Sequence, residues 1–161
     1  MADRSDVAAG PVAAYVAAMA ARVIAAAADS VSQGALAAQA RSLGQRLDRL
    51  AYEDAAAFGA ARDALDSATG GGDERRDFAL GQALDRAADV PLAIAEASAD
   101  VVALAQEIEP LADTRNAPAV GAAAHLAAGA ARAAAHLVEA TLAMTPNDAR
   151  LDRALRAAAA L

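Results

Sequence analysis

Residues 47–65 read LDRLAYEDAAAFGAARDAL, and this stretch decides the fold class. Apolar residues recur in it at three- and four-residue steps, the spacing of one buried helix face: Leu47, Leu50, Phe58, Ala61 and Leu65. Asp54 falls in the same stripe, where the pattern calls for another leucine. A carboxylate that faces a core costs several kcal/mol unless it is paired, hydrogen-bonded or protonated. Asp54 is therefore either satisfied structurally or used by a site.

The composition of the whole chain extends the helical interpretation. The 161 residues include 56 alanines, only four Phe and Tyr together, and no cysteine, tryptophan or lysine. Alanine is the best helix former, and strand-favouring residues are too few and scattered to build a sheet. We predict one all-α domain over residues 1–161. Because each alanine buries little area, long helices or a partner subunit must supply the remaining apolar contact.

Turn residues and prolines divide the chain into an up-and-down bundle of four long helices plus a short C-terminal helix. The predicted helices span residues 11–28, 35–67, 73–109, 117–144 and 146–160. Glycines 70–72 are interpreted as a plain loop, since no strand precedes them and no lysine–serine pair follows. Pro91 lies within the apolar stripe of the third helix, so the period predicts a kink there rather than an end.

The apolar face of the first helix and the caps of the last two are also predicted. Asn116 and Thr145 are suitable N-caps because their side chains can accept hydrogen bonds from free backbone N–H groups. The first helix is expected to place its larger apolar residues toward the core: Val12, Tyr15, Val16, Met19, Val23 and Ile24.

The charge pattern narrows the classes of partner. Net charge is −7, and the fourteen basic residues are arginines spread along the chain without a basic stripe or interleaved aromatics. Nucleic-acid binding is therefore not expected. Absence of cysteine suits a reducing compartment, and the first residues do not form a signal-peptide n-region. The apolar residues 7–28 contain Gly10, Pro11 and Arg22, so we expect a cytoplasmic protein with no membrane contact, a spanning helix being the alternative.

Asp54 is the first candidate for chemistry, and two interpretations stay open. It is either a core aspartate paired with an arginine or a helix terminus, or a carboxylate in a water-poor groove. In such a groove its pKa rises, and proton transfer near neutrality becomes accessible. Glu53 points about 100° away on the helix and is expected to face solvent.

The only two histidines, His125 and His136, form a second candidate feature with Arg132. They lie eleven residues apart on one helix face, with Glu139 close to the same line. The histidines are roughly 16 Å apart along the axis, too far to ligate one metal ion. This face is either a polar surface, at a subunit boundary or in solvent, or an anion-binding edge. No motif with metal-ligand spacing and no nucleophile turn occurs, so no metal is predicted.

Three segments resemble the formiminotetrahydrofolate cyclodeaminase and methenyltetrahydrofolate cyclohydrolase family. Residues 52–58, YEDAAAF, resemble the family segment that reads aspartate, two residues, alanine, aromatic. Residues 90–96, VPLAIAE, are similar to its Val-Pro-Leu-x-Ile-Ala-Glu helix. Residues 12–14, VAA, with Met19 following, are similar to the helix after its glycine-rich loop. The order and spacing of the segments agree over nearly the whole chain.

The resemblance implies a homodimer of antiparallel helical bundles with a folate site in a groove near the subunit boundary. A tetrahydrofolate derivative would be the substrate, either losing ammonia from a 5-formimino group with ring closure or hydrolysing its methenyl bridge. Asp54 would be the catalytic carboxylate near the cationic one-carbon centre. The expected ligand-binding residues are, in chain order, Gly10, Asn116, His125, Arg132 and His136.

The chain also departs from the family pattern. The family's Pro-Gly-Gly-Gly-Ser loop corresponds to residues 7–11, VAAGP, which keep only Gly10, and its Ser-Asp pair corresponds to Gly121 and Ala122. These losses predict a degenerate site. Two functions follow: a one-carbon folate enzyme, or a catalytically inactive homologue that serves as a dimeric binding or assembly module with Asp54 kept for structure.

Overall fold

The computed structural model of the chain describes residues 9–67, 74–145 and 147–160. It contains five α-helices: α1 (Ala9–Ser30), α2 (Gly34–Ser67), α3 (Glu74–Ile108), α4 (Ala117–Thr141) and α5 (Ala149–Ala158). A short 3-10 turn, Glu109–Leu111, follows α3, and no strand occurs among the described residues. The prediction of an all-α bundle of four long helices plus a short one is confirmed. Helix α3 continues through Pro91, and residues 70–72 lie outside the described residues.

Two of the predicted boundaries in the last third of the chain are wrong. Helix α4 ends at Thr141 rather than at residue 144, and α5 begins at Ala149 rather than after Thr145. The cap of α5 is Asp148, whose Oδ1 accepts a hydrogen bond of 2.9 Å from the backbone N–H of Arg150. Pro146, the predicted first-turn residue, lies outside the described residues.

The four long helices pack antiparallel, each against its neighbours in sequence, and α1 also packs against α4. Asp48 and Arg22 join α2 to α1 through an ion pair of 2.6 Å. At one end of the bundle Asn116 occupies the predicted N-cap position of α4, but its side chain makes no capping bond. Its Nδ2 instead donates to Ser30 Oγ at 3.2 Å, which ties the start of α4 to the end of α1.

Alanine rather than the larger apolar residues fills the buried face of α1. Ala14, Ala17, Ala18 and Ala21 are fully buried together with Ile24. The predicted burial of four larger residues is wrong, since these are at least 40% exposed: Val12, Tyr15, Met19 and Val23. Small side chains let α1 approach both neighbours closely, and the larger residues are left on the outer surface.

Helix α1 is also long and apolar enough to span a membrane by length and composition, at a mean hydropathy of 1.6. More than half of that window, 56%, is buried inside the bundle. A core helix of an alanine-rich bundle meets the same test, so this composition is accounted for by packing.

The C-terminal part of α2 and the first part of α3 extend beyond the start of the described part of α1. That start lies opposite Asp54, and α2 continues for roughly 20 Å beyond it. Two residues of the predicted α2 stripe, Phe58 and Leu65, are 46% and 49% exposed, so their predicted burial is wrong. Asp54 therefore lies beside the first described residues of α1, at one end of the four-helix core.

Candidate functional site

Asp54 is buried at one end of the bundle and has no side-chain partner among the described residues. Its side chain is 6% exposed, and no side chain among the described residues hydrogen-bonds or pairs with it. Burial alone raises the pKa of the Asp54 carboxyl to about 6, because desolvation disfavours the charged form. No arginine in the described part of the chain pairs with Asp54. The other structural interpretation, contact with a helix terminus, stays open, because the first described residues of α1 lie against the carboxylate.

Gly10 lies directly against the carboxylate. A Cβ placed on Gly10 would lie 2.1 Å from Oδ2 of Asp54 and 2.8 Å from Oδ1. These separations are far below van der Waals contact, so any larger residue at position 10 would force the carboxylate or α1 to move. The structure thus brings together two of the residues that the sequence singled out, Asp54 and Gly10.

The carboxylate lines a cavity of about 300 Å³ at this end of the bundle. All four long helices contribute to its wall. The lining residues, besides Asp54 and Gly10, are Ala9, Phe58, Ala87, Pro91, Leu137, Ala140 and Thr141. Proline and small residues on α3 and α4 leave the space that larger side chains would fill.

Among the described residues that line this cavity, Asp54 is the only ionisable one. The one other polar side chain, Thr141, donates its hydroxyl to the carbonyl oxygen of Leu137 at 2.8 Å. That hydroxyl therefore offers a ligand only acceptor lone pairs. The cavity combines a single carboxylate and one acceptor hydroxyl with apolar walls.

The two histidines and Arg132 lie on the outer face of α4 rather than in the Asp54 cavity. His125 lines a separate groove between α1 and α4, about 510 Å³ in volume, and Ala9 lies between this groove and the cavity. His136 is 3.8 Å from Glu139, and both side chains are largely solvent-exposed. Arg132 is exposed as well. The predicted common face exists, beside the cavity but outside it.

Asn116 lies at the opposite end of the bundle. It contacts Ser30, whereas Asp54 contacts Gly10, twenty residues earlier on α1. At 1.5 Å per residue the two ends are roughly 30 Å apart. Within one chain Asn116 and Asp54 therefore do not share a site.

The positions that correspond to the family's Ser-Asp pair also lie away from the cavity. Ala122 lines a second part of the α1–α4 groove, about 390 Å³ in volume, and Gly121 lies near the Glu109 carboxylate. Ala122 precedes the cavity residue Leu137 by roughly 22 Å along α4. Within one chain the missing carboxylate would not have been a neighbour of Asp54.

Sequence reasoning missed the cavity wall on α4. Leu137, Ala140 and Thr141 carry no local signal, because leucine, alanine and threonine are common in an alanine-rich helix.

No candidate metal site is found within the three described ranges. No group of three His, Asp or Glu side chains there converges as ligands of an ion.

The fold and cavity define a class: an antiparallel all-α bundle with a lone buried carboxylate at one end. The family model described as formiminotransferase-cyclodeaminase matches residues 2–160. The chain belongs to this family. The resemblance read from the sequence is confirmed.

A solved structure agrees with this assignment at the level of the fold. Formiminotetrahydrofolate cyclodeaminase from Thermotoga maritima superposes with a TM-score of 0.81, covering 98% of this chain and 81% of that one. The two sequences are 19% identical, so this likeness concerns the backbone arrangement. No curated protein matches the chain.

Proposed function

We propose that the chain is a one-carbon folate enzyme whose chemistry takes place in the Asp54 cavity. The observation that carries the proposal is the buried, unpartnered Asp54 carboxyl, which lines a cavity in a member of the formiminotransferase-cyclodeaminase family. A tetrahydrofolate derivative is the proposed substrate, and the reaction is cyclodeamination or the related hydrolysis of a methenyl bridge.

In the cyclodeamination, the N10 nitrogen attacks the carbon of the 5-formimino group, and a new C–N bond forms. Asp54 takes the proton that N10 loses and returns it to the amino group, which leaves as ammonia as its C–N bond breaks. The product is the cationic methenyl bridge. A carboxyl whose pKa is about 6 is suited to both halves of this transfer near neutral pH.

We expect the loss of the family glycines to lower the reaction rate without moving the reaction away from Asp54. Gly10, the glycine that remains, is the one that permits α1 to meet the carboxylate. The two absent glycines would have offered further backbone approach to a ligand. We therefore expect a degenerate site that keeps its carboxylate and positions its substrate less well.

We also propose that two copies associate through the outer surface of α1 and α4, here called the α1–α4 face. It carries large exposed residues, Val12, Met19 and Leu126, beside a groove of small ones, Ala122, Gly129 and Ala133. In a two-fold symmetric dimer the same surface patch of each copy forms the interface, so the patch must be complementary to itself. A patch with both protruding and recessed residues meets this requirement.

Charge and size support this interface. Within residues 9–28 the only charged side chain is Arg22, which Asp48 pairs, and residues 117–138 contain no acid. Neither of these two segments contributes a carboxylate to the face, although the net charge of the chain is −7. Two adjacent helices about 33 Å long present roughly 600 Å², approaching the ~800 Å² per partner of a standard interface.

The alternative function is an inactive, dimeric binding or assembly module. One observation favours it: in the described lining of the cavity, only Asp54 and Thr141 have polar side chains that could orient a ligand as polar as a folate. In that case the α1–α4 face would be the functional surface, and Asp54 would serve no reaction.

Calorimetry with a reduced folate separates the two functions. The enzyme proposal predicts saturable binding to the wild-type chain and at least a tenfold weaker affinity for Asp54→Asn. Glu53→Gln is the matched control, because Glu53 is the exposed neighbour on the same helix and does not line the cavity. Absence of folate binding at millimolar ligand would leave the binding module.

A further inference from the structure

The contact between α3 and α5 is made by a row of ion pairs that ends one residue early. Four acids of α3 lie on one helix face, because they recur at four- and seven-residue steps: Asp85, Asp89, Glu96 and Asp100. Arg150 pairs with the first two and Arg153 with the third. Asp100, the fourth, is exposed, and its carboxylate has no hydrogen bond or ion pair to another described residue.

The arginine that would continue this row on α5 also lacks a partner. Arg156 follows Arg153 by three residues, so the two lie on the same side of the helix. Its guanidinium pairs neither with Asp100 nor with Asp152, one turn earlier on α5, nor with any other described acid. Both helices therefore keep an unpaired charge at this end of their contact.

These two residues line a groove between α2, α3 and α5, about 560 Å³ in volume and here called the arginine groove. Arg46 of α2 lines it as well, and its guanidinium has no partner among the described residues either. Two small side chains, Ala99 and Ala157, leave space between the charged groups. Unpaired charges from three helices thus meet in a groove whose volume lies within the range of small-molecule sites.

The other two charges in the lining of the arginine groove neutralise each other. Arg153 donates to both oxygens of Glu96, from Nε at 2.9 Å and from Nη2 at 3.0 Å. The described lining thus leaves two guanidinium groups unpaired, those of Arg46 and Arg156, against the single carboxylate of Asp100. This positive excess occurs in a chain of net charge −7. The groove therefore favours an anion that also brings a hydrogen-bond donor for Asp100.

Two guanidinium groups and one carboxylate discriminate between classes of anion. The Glu96–Arg153 pair shows how one carboxylate uses both oxygens on a single guanidinium. A phosphate monoester has three free oxygens and a charge of about −1.5 to −2 near neutral pH, so it accepts from two guanidinium groups at once. A hydroxyl on the same compound can donate to a carboxylate. An extended polyanion such as nucleic acid is disfavoured, because the same face of α3 continues with Asp85 and Asp89.

We propose that the arginine groove binds the phosphate monoester of a small hydroxylated compound, with the phosphate between Arg46 and Arg156 and a hydroxyl on Asp100. The groove shares no lining residue with the Asp54 cavity. The inference goes beyond the proposed function and does not depend on it. It gives a role to three charged side chains that make no contact with a partner in the described part of the chain.

Three related probes test the proposal: glycerol 3-phosphate, methyl phosphate and glycerol, titrated calorimetrically into the full-length chain at pH 7. We expect saturable binding of glycerol 3-phosphate, at least fivefold weaker binding of methyl phosphate, which lacks the hydroxyls, and no binding of glycerol. Raising the salt concentration from about 50 to about 300 mM should weaken the first affinity several-fold, because salt screens exposed charges. No saturable binding of glycerol 3-phosphate at millimolar concentration, or equal affinity for either of the other probes, would overturn the inference.

Four variants locate the bound probe. Arg46→Gln and Arg156→Gln should each weaken glycerol 3-phosphate binding at least fivefold, since each removes one of the two groups that hold the phosphate. Asp100→Ala should remove the preference for glycerol 3-phosphate over methyl phosphate. Arg49→Gln is the matched control, because Arg49 is exposed on α2 and does not line the groove, and it should change the affinity less than twofold.

The same variants separate binding from folding and from net charge. Arg46, Asp100 and Arg156 are exposed and unpaired among the described residues, so their variants should unfold close to the wild-type temperature. Unchanged affinity in both groove arginine variants, or an equal loss in Arg49→Gln, would refute the groove. Asp54→Asn should bind glycerol 3-phosphate as wild type does while losing affinity for a reduced folate, so this test and that of the proposed function can fail independently.

Discussion

Asp54 couples the stability of the chain to its proposed chemistry, because the fold buries most of this residue and offers it no side-chain partner among the described residues. Its pKa is about 6 in the folded chain against an ordinary value of 3.8. The folded state therefore binds the proton more tightly than the unfolded state. Ionised Asp54 destabilises the fold above pH 6, and this penalty disappears as the pH falls from about 6 to about 4.

Replacing Asp54 by asparagine should accordingly stabilise the chain at high pH. Burial of the ionised carboxyl lowers the free energy of unfolding by an amount of order 3 kcal/mol. The asparagine amide is also buried without a partner, which costs part of that amount again. We therefore expect the free energy of unfolding of the variant to exceed that of wild type by about 1–2 kcal/mol at pH 8. Urea unfolding of both proteins between pH 4 and pH 8 measures it. The gain should shrink below pH 6, while Glu53→Gln should stay close to wild type throughout. A variant that is less stable than wild type at pH 8 would mean that Asp54 has a partner after all.

A substitution at Gly10 tests the same contact from the α1 side. A methyl group at this position overlaps the Asp54 carboxylate, so Gly10→Ala should displace α1 or the carboxylate and weaken ligand binding at least tenfold. Gly59→Ala is the matched control, because a Cβ at Gly59 meets nothing within 4 Å and alanine favours the helix. Thermal unfolding should show the first variant destabilised and the second unchanged or stabilised. Equal behaviour of the two would contradict the close approach.

At the scale of elements, α5 is held by arginines rather than by apolar area alone. Arg150 pairs with Asp85 and Asp89 of α3 at 3.0 Å each, and with its own cap residue Asp148 at 2.6 Å. A second arginine, Arg153, pairs with Glu96 of α3 at 2.9 Å. The hydrogen bonds from Arg150 lower the pKa of Asp148 to about 2, so the cap of α5 stays ionised in mildly acidic solution.

Arg150→Met should loosen α5 from α3. Three charged hydrogen-bonding partners lose their common donor, and we expect a cost on the order of 1–3 kcal/mol. Hydrogen exchange of the α5 amides measures the local opening and should accelerate much more than exchange in α1. Arg156→Met, at an exposed position of the same helix, provides the control. Unaltered α5 protection in Arg150→Met would show that apolar packing suffices.

The helices could be predicted from the sequence because period, prolines and caps are local signals. The face that α1 buries could not, since alanine contributes so little to an apolar stripe that the exposed Val12 and Met19 dominated the pattern. The cap of α5 was missed because Thr145 and Asp148 are both suitable, and only the fold chooses between them. Asp54 was found as a break in a stripe, whereas the α4 wall of its cavity follows from helix pairing and has no local signature.

At the scale of the whole molecule, the α1–α4 face is the feature that packing within one chain leaves unexplained. Its exposed apolar residues lie beside small ones, and one end of it reaches Ala9 at the edge of the Asp54 cavity. Association through this face would bury that apolar surface and bring a second chain close to the cavity.

Leu126→Arg should convert a dimer into a monomer. Leu126 is 55% exposed and borders both parts of the groove, so two opposed arginines near the centre would be buried without partners. Sedimentation velocity at micromolar concentration should give a dimer for wild type and a monomer for the variant. Leu155→Arg, at a residue 52% exposed on α5, should remain dimeric. A monomeric wild-type chain, or dissociation of both variants, would contradict the assignment of this face.

The proposed function depends on Asp54 acting as the proton-transfer carboxylate of a folate site. The most direct test is the release of ammonia from 5-formiminotetrahydrofolate at pH 7, followed together with the appearance of the methenyl product. We predict turnover above the buffer rate by wild type and Glu53→Gln, and at least a hundredfold loss of kcat in Asp54→Asn. Turnover that survives in Asp54→Asn, or a wild-type rate equal to that of buffer, would contradict the account.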